Sequence, residues 1–342
     1  MELHVQTFGT RLRTRGDIFV LYVPDLSGGG NETAYEYAPH QVEYFLLYKK
    51  SGSVSTEALE LALKNNVQIL LCDEFGNPTG RFWSLEPNES LAIQAAQFRL
   101  IGAPQSMAFV KEWMGLKFRR KITFLERLER YREGDKQQLI QFSRGELAGY
   151  FHKLQQVPTH DVAKAAASIR GYEGAASRLY FDTLNQLLQP EYQFDGRSRR
   201  PAKDIFNSLL NYGYGILYRQ VETMLIVAGI HPYAGFLHGL EKVQKAMVFD
   251  FMEAYRPWVD SAVFMLCSRK QATQKHVEER PGGMWLSKEG KAILSNALRN
   301  AFDKKYIEVS DVVLSQKQVM KREVKAFSIQ LMALWKGVEM VL

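Results

Sequence analysis

The sequence has little of what marks a secreted, disulfide-stabilised or membrane-spanning protein. Its 342 residues include only two cysteines, Cys72 and Cys267, far apart in sequence, which excludes a disulfide framework and a cysteine-ligated metal site. No apolar run approaches the roughly 20 residues that a membrane-spanning helix needs. The chain opens on alternating polar and apolar residues, so we expect no signal peptide. We find no internal repeat, and we expect a cytoplasmic protein.

What the sequence does contain is typical of a folded protein with an uneven charge. Hydrophobic residues make up 46% and charged residues 24% of the chain, which is ordinary for a globular protein. The formal net charge is +7, but residues 1–84 carry −3 and the remainder carries +10. A basic second half beside an acidic first part suggests a polyanion that binds to the second half only.

The hydrophobic pattern changes once along the chain. Short apolar or alternating runs with turn signals predict a small N-terminal β domain over residues 1–85, a sheet or sandwich with one short helix. Residues 86–92 are a predicted linker. From there the periodicity is helical, and residues 93–342 are predicted to form a larger all-α domain. The fold class is therefore α+β and multidomain.

Within the second domain, helices are predicted over residues 91–115 and 117–133, and residues 268–283 are interpreted as a mobile connection. The second of these helices opens on Lys117, followed by three further cations that end at Lys121. Charged helix faces are usually solvated, so this cluster is interpreted as a solvated face, with contact to a ligand as the alternative.

A buried carboxylate is predicted at Asp250. It lies in the apolar run 247–252, and moving an unpaired charge out of water is costly, so it needs a partner or a metal. Glu253 follows at i+3 on the same helical face, and His238 lies twelve positions before Asp250. A histidine and two carboxylates beside an apolar wall are ligand types of a divalent cation. The alternative is a core helix in which Asp250 pairs with an arginine such as Arg256.

The helix predicted from Asp161 to Leu188 contains a similar anomaly. Its apolar stripe has spacings of three and four, and Glu173 occupies one position of that stripe. Gly171 and Gly174 flank the glutamate, and each lowers helix propensity by about 1 kcal/mol relative to alanine. Small side chains there would let another segment approach the carboxylate. A structural ion pair of Glu173 stays open as the alternative.

The loop over residues 195–201 is punctuated by Gly, Ser and Pro and is basic. Its guanidinium groups, on Arg197, Arg199 and Arg200, suit phosphate oxygens. In the helix that follows, Tyr214 could stack on a nucleic-acid base. Burial of that tyrosine against a neighbouring helix is equally compatible with the sequence.

Four stretches of the second domain together resemble the CRISPR-associated protein one family, the integrase of spacer acquisition. In order they are residues 169–181 (IRGYEGAASRLYF), 199–217 (RRPAKDIFNSLLNYGYGIL), 235–238 (GFLH) and 249–257 (FDFMEAYRP). Residues 286–290 (LSKEG) also agree with the family's pattern, and residues 76–80 (GNPTG) fit its N-terminal domain. The resemblance covers nearly the whole chain.

The resemblance implies a metal-dependent DNA integrase and endonuclease that joins 3′-hydroxyl ends of short foreign DNA to the CRISPR repeat. The family's metal-ligand glutamate, histidine and aspartate fall on Glu173, His238 and Asp250. The second acidic position of the same helix falls on Glu253, where some members carry Asp, and all four residues are implied catalytic. The implied cofactor is Mg²⁺ or Mn²⁺. One small departure is Tyr172, where an aliphatic residue is common.

The resemblance also implies partners. They are double-stranded DNA, a second copy of the chain held through the β domain, and a small ferredoxin-like CRISPR-associated protein. The candidate DNA contacts are Arg178, Arg197, Arg199, Arg200 and Tyr214, and phosphate contacts would make binding strongly salt dependent.

Two other functions stay open. A generic metal-dependent DNA nuclease, acting on branched or repair intermediates, would use the same site and yield cut strands instead of joined ones. A non-catalytic nucleic-acid-binding scaffold would use Glu173 and Asp250 as members of core ion pairs. In the scaffold, alanine at either position destabilises the fold, whereas at a metal site it leaves the metal-free stability unchanged or raised.

Overall fold

The computed structural model describes residues 1–25, 31–85, 89–199, 201–238, 244–304, 306–309 and 312–337. The chain divides into two compact units, Met1–Leu91 and Ala92–Leu342. Residues 86–88 of the predicted linker and Arg200 lie outside the described residues. No helix in the described ranges is both long enough and apolar enough to cross a membrane.

The first unit is built from strands and one short helix. Its strands are β1 Glu2–Val5, β2 Thr10–Arg15, β3 Ile18–Pro24, β4 Glu32–Tyr37, β5 Tyr44–Tyr48, β6 Gly52–Val54, β7 Gln68–Cys72 and β8 Pro78–Phe82. Helix α1, Thr56–Lys64, begins where the Ser55 side chain accepts the backbone N–H of Ala58, a standard N-terminal cap.

Two sheets form within the described part of this unit. One has the order β1-β5-β7-β8, with β7 and β8 antiparallel and the other pairs parallel. The other has the order β4-β3-β2-β6, antiparallel except for β2 and β6. Side chains that point inward from both sheets share one core, with Leu12, Phe19, Phe45 and Ile69 fully buried. The predicted β domain with one short helix is confirmed.

The second unit is mainly helical, as predicted. Its helices, the first of which begins three residues before the unit boundary, are α2 Glu89–Leu100, α3 Ser106–Glu129, α4 Gly134–Gln155, α5 Val162–Leu187, α6 Ile205–Val227, α7 Ala246–Met252, α8 Arg256–Ser268, α9 Lys288–Lys304 and α10 Gln316–Trp335. The helix predicted over residues 91–115 is wrong, because a turn at Gly102, with φ 76°, and Pro104 separate α2 from α3.

The second unit also contains two β hairpins, so its description as all-α is incomplete. Strand β9, Val277–Arg280, pairs with β10, Gly283–Leu286, and β11, Tyr306–Val309, pairs with β12, Val312–Ser315. The expected mobile connection over residues 268–283 is therefore wrong. Both hairpins have four-residue strands, which are too short for hydrophobic alternation to reveal them.

An aromatic cluster marks the place where α3, α7, α10 and the segment before α7 meet. The Trp113 ring stacks on Phe236 at 6.0 Å and meets Phe251 edge-on at 5.3 Å and Phe327 at 5.1 Å. All four side chains are buried. Phe236 lies two residues before His238, and Phe251 directly follows Asp250. The packing of this cluster therefore fixes the backbone that carries both predicted site residues.

Candidate functional site

Asp250 is buried, with 1% of its surface exposed, and its carboxylate is fully engaged. Oδ2 accepts the backbone N–H groups of Phe236 at 2.6 Å and Leu237 at 2.8 Å, and Oδ1 pairs with His238 Nδ1. The expectation of a partner is therefore correct, but the alternative of pairing with Arg256 is wrong. The partners of Asp250 are peptide N–H groups and a histidine instead of an arginine. Asp250 therefore holds the segment that carries His238 against α7.

The close approach of that segment depends on Gly235. A Cβ atom at this position would lie 2.6 Å from Ala246 Cβ and 2.9 Å from Asp250 Oδ2, distances that atoms in contact do not reach. Only glycine fits at this position, which explains the glycine of the GFLH motif.

Glu173 lies in the middle of α5, the helix predicted from Asp161 to Leu188, which the Asp161 side chain caps. Its Oε1 accepts from Lys117 Nζ and from Ser177 Oγ, the latter at 2.6 Å. The side chain is 27% exposed, and Cβ atoms built on Gly171 and Gly174 meet nothing within 4 Å. The Glu173 carboxylate is thus hydrogen-bonded within the fold and still partly exposed, and the helix surface is open at the two neighbouring glycines.

Glu253 meets the same lysine from the turn after α7. Its Oε2 accepts from Lys117 Nζ, and its Oε1 pairs with Arg256 Nε at 2.8 Å. Burial disfavours the charged form of both carboxylates, but neighbouring cations outweigh this effect. Lys117 and Lys121 hold the pKa of Glu173 well below its ordinary value. Arg256 and Lys117 lower the pKa of Glu253. Both carboxylates are therefore ionised around one ammonium.

Lys117 and Lys121 were expected to be solvated, and this is wrong, because they are only 5% and 2% exposed. Lys121 Nζ donates to Ser177 Oγ at 2.7 Å, which in turn donates to Glu173. The signal was in the sequence: both lysines occupy the apolar stripe of α3 that includes Met114. This is the same kind of anomaly as Glu173 in α5.

The four residues predicted to be catalytic lie in two pairs. Glu173 and Glu253 share Lys117, while Asp250 pairs with His238. Arg170, one helical turn before Glu173, donates from Nη1 to the carbonyl of Leu237 at 3.1 Å, so the segment carrying His238 lies against the same part of α5. In the portion of the chain that is described, no three His, Cys, Asp or Glu side chains are grouped so that they could hold a metal ion.

Arg197 is held inside the fold. Its guanidinium donates to the side-chain carbonyls of Asn207 and, at 3.1 Å, Asn211, and it lies over the Phe181 and Tyr214 rings at 5.6 Å and 5.7 Å. These contacts fix the loop that precedes α6. They leave few donors for a phosphate, so the predicted DNA contact of Arg197 is not favoured by its surroundings.

Tyr214 also makes internal contacts. Its hydroxyl donates to Asp260 Oδ1 at 2.5 Å, and the Arg256 guanidinium lies 4.7 Å from its ring centroid. Asp260 is 1% exposed, and burial raises the pKa of its carboxyl although the Tyr214 bond and Lys121 oppose the rise. Tyr214 is partly buried, and these contacts favour its packing against the neighbouring helix over base stacking.

Arg178 and Arg199 are exposed. Asn211 Nδ2 donates to the backbone carbonyl of Arg199, which fixes the main chain at that position and leaves the side chain at the surface. These two arginines are the predicted DNA contacts whose surroundings suit a phosphate. For all the predicted DNA contacts, binding stays a prediction.

Comparison with known proteins identifies the family. The family model for CRISPR associated protein Cas1 matches residues 3–300. The chain belongs to the Cas1 family. CRISPR-associated endonuclease Cas1 1 of Thermus thermophilus is 33% identical over 304 residues, which cover 85% of this chain and 83% of that protein. CRISPR-associated endonuclease Cas1 1 of Archaeoglobus fulgidus is 29% identical over 277 residues, covering 78% and 80%.

Solved structures share the Cas1 fold over the full chain. A casposase bound to integration product has a TM-score of 0.74 at 21% identity, covering 99% of this chain and 97% of that one. A Cas1 protein from Thermotoga maritima has 0.69 at 19% identity with the same coverage. A partial Cas6-RT-Cas1–Cas2 complex has 0.71 at 21% identity, covering 100% and 99%. At these identities the likeness concerns the fold alone.

Proposed function

We propose that this Cas1-family chain is a metal-dependent DNA integrase and endonuclease that joins 3′-hydroxyl ends of short DNA fragments to the CRISPR repeat by transesterification. One observation carries the proposal: carboxylates of Glu173 and Glu253, from separate elements, converge on a single cation at a partly open surface. Family membership supports it, because relatives at 29% and 33% identity are named CRISPR-associated endonucleases, and a chain of the same fold is a casposase bound to integration product.

The predicted ligand types suit Mg²⁺ or Mn²⁺. Carboxylates such as that of Glu173 and the imidazole of His238 are groups that these ions accept. Glu173 and His238 leave 27% and 34% of their side chains exposed, whereas a purely structural ion pair needs no opening. We propose that Glu173 and His238 are among the residues that would hold the ion, and the described residues contain no group of three ligands already arranged for one. When bound, it would polarise the scissile phosphate and lower the pKa of the attacking 3′-hydroxyl.

Asp250 serves this site as a positioning residue. When His238 donates its Nδ1–H to Asp250, the lone pair of Nε2 is left for a ligand, and such carboxylate–histidine pairs orient metal-binding imidazoles. With two peptide N–H groups on its other oxygen, Asp250 has little capacity left for a metal. That Asp250 is itself a ligand stays a prediction that its contacts do not favour.

The surface around Glu173 suits a DNA backbone. Gly171 and Gly174 leave open space on α5, and Arg178 is exposed on the same helix. A phosphate could therefore approach the carboxylate closely while an arginine binds a neighbouring phosphate. A homodimer, a small ferredoxin-like CRISPR-associated partner and a cytoplasmic location belong to the same proposal, and the fold shared with a Cas1–Cas2 complex agrees with such a partner.

The experiment is a strand-transfer assay in Mn²⁺, with a short duplex bearing free 3′-hydroxyls and a supercoiled plasmid that carries a CRISPR repeat array. Wild-type protein is compared with Glu173→Gln and with Glu191→Gln, an exposed glutamate. Joined product from wild type and Glu191→Gln alone supports the proposal. Cut strands without joining favour the generic nuclease, and equal joining by Glu173→Gln contradicts the assignment of the site.

A further inference from the structure

Gln97 is a buried polar residue of α2 that holds the turn before the GFLH motif. It is 0% exposed, and its Nε2 donates to the carbonyls of His231 at 3.0 Å and Ala234 at 2.8 Å. Its Oε1 accepts the backbone N–H of His231 at 2.8 Å. A primary amide combines two donors and an acceptor in one group, and Gln97 uses all three functions on the main chain of this turn.

The turn, residues 231–234, belongs to neither a helix nor a strand, so its shape depends on individual hydrogen bonds. Its internal bonds run from the Ala234 N–H to the carbonyl of His231 at 3.3 Å and from the Gly235 N–H to that of Tyr233 at 3.0 Å. Gln97 ties the turn to a helix. Ala234 is fully buried, and a buried carbonyl that loses its donor destabilises the fold.

Gly235 makes the orientation of the residues that follow depend on such bonds. The packing described above requires a glycine there, but a residue without a Cβ atom leaves its two backbone dihedrals with little steric restriction. Gln97 holds the peptide plane before Gly235 through the Ala234 carbonyl, and Asp250 holds the plane after it through the Phe236 N–H. The two side chains therefore restrain the backbone on both sides of the glycine.

We propose that Gln97 is a positioning residue for His238: together with Asp250 it locks the backbone around Gly235 and so keeps the imidazole in its hydrogen bond with Asp250. His238 follows Gly235 by three residues, and 34% of its side chain is exposed, so packing does not hold the ring on all sides. A carboxylate accepts and cannot donate, so this pair fixes the imidazole proton on Nδ1. The role of Gln97 rests on the function proposed above, in which His238 helps to hold the ion.

Gln94 supplies a matched control. It lies one turn earlier on α2, and its Nε2 donates to the carbonyl of Gly229 at 3.1 Å. Gln94→Met therefore removes the same type of group and a bond to the same connection, but it leaves both restraints beside Gly235 in place. Gln97→Met removes the restraint on one side while filling a similar volume.

The test observes the His238 ring itself, without DNA or metal, at about pH 8.5, where a neutral imidazole has two possible tautomers. Nuclear magnetic resonance of nitrogen-15-labelled histidine shows which ring nitrogen carries the proton, and His238→Gln assigns the signal among the seven histidines. We expect the Nδ1-protonated tautomer alone in wild type and Gln94→Met, and a mixture of both tautomers in Gln97→Met. Unchanged His238 signals in Gln97→Met overturn the proposal, and so does an equal change in Gln94→Met.

If Gln97→Met does not fold, Gln97→Asn gives the same test. Its amide has the same donors and acceptor on a stem that is one methylene shorter, so we expect it not to reach His231 and Ala234 together. A mixture of His238 tautomers is the expected result for this variant. Folded Gln97→Asn with the wild-type ring signals overturns the proposal.

The strand-transfer assay separates this role from the proposed function. With protein in excess over DNA, the rate constant of a single turnover does not depend on how much of the protein is folded, so a merely structural loss lowers only the amount of product. We expect Gln97→Met to lower that rate constant about tenfold or more, with Gln94→Met close to wild type. A wild-type rate constant for Gln97→Met overturns the inference while the proposed function stands. If wild type joins no DNA, the proposed function fails, and the ring signals decide whether Gln97 positions His238.

Discussion

The buried amine of Lys121 couples protonation to folding, and Lys121→Met removes that coupling. The amine is 2% exposed, donates to Ser177 Oγ at 2.7 Å and lies 4.8 Å from the centroid of the Tyr180 ring. Burial, with the nearby charge of Lys117, lowers its pKa to about 7, and the surrounding carboxylates only partly oppose this. In the unfolded chain the same amine has a pKa of about 10.4.

The sign and size of the effect follow from these two values. Between about pH 7 and 10.4 the unfolded chain holds a proton that the folded amine has released, so the free energy of unfolding rises with pH. Below about pH 7 both states are protonated, and the full cost of the buried charge is present. From about pH 7 to 9.5 the contribution of Lys121 amounts to about 3 kcal/mol.

The assay is denaturation by guanidinium chloride in chelator, at about pH 7 and about pH 9.5, for wild type and Lys121→Met. The variant should be relatively more stable at the lower pH, with the difference between the two proteins changing by about 3 kcal/mol. Lys288→Met, at an exposed lysine, should follow wild type. If wild type and Lys121→Met depend on pH in parallel, Lys121 does not titrate near neutrality and the reasoning is refuted.

Three further predictions concern the framework of the site. Asp250→Ala should lower the free energy of unfolding by about 3 kcal/mol, because two peptide N–H groups and His238 lose their acceptor. Chemical denaturation measures this free energy, and an unchanged value would contradict the prediction. Gly235→Ala should lower the melting temperature, since its Cβ would lie 2.6 Å from a neighbouring Cβ; an unaltered melting curve would argue against the close approach. Arg199→Ala should weaken the salt dependence of DNA binding by the equivalent of about one phosphate contact, as measured by fluorescence anisotropy at several salt concentrations. Arg197→Ala should mainly lower the melting temperature. The reverse pattern would contradict both assignments.

The sequence was sufficient to locate the carboxylates because a charge in an apolar stripe is visible without a structure. Glu173 in α5 and Asp250 in α7 were both found in this way, and both have the buried partners that the cost of an unpaired charge requires. The β domain and the mainly helical domain could likewise be predicted, because their hydrophobic periods differ. The family resemblance then supplied the roles that periodicity cannot give.

The partners of those carboxylates could not be predicted. Lys117 is 56 residues from Glu173 and 136 from Glu253, so only the packing of α3 against α5 and the turn after α7 brings them together. Asp250 was expected to bind a metal or, as the alternative, to pair with Arg256. Its partners in the fold are two peptide N–H groups and His238, and local sequence contains no sign of the hydrogen bonds from the peptide groups; binding of a metal by Asp250 stays a prediction. For a metal site, Asp250→Ala was expected to leave the metal-free stability unchanged or raised. The observed contacts instead predict a destabilisation, which only the scaffold alternative had predicted.

The β hairpins were missed for a different reason. Four-residue strands such as Val277–Arg280 are mostly exposed, so they lack the alternation by which strands are recognised. The break between α2 and α3 at Gly102 was missed although the sequence contains turn residues there, because the helical apolar pattern continues across them.

The measurement that tests the central claim most directly is the position of Mn²⁺ in crystals of this protein, found from its anomalous scattering. We expect one strong peak beside the carboxylate of Glu173 and the imidazole of His238. A peak remote from both Glu173 and His238 would contradict the proposed metal site.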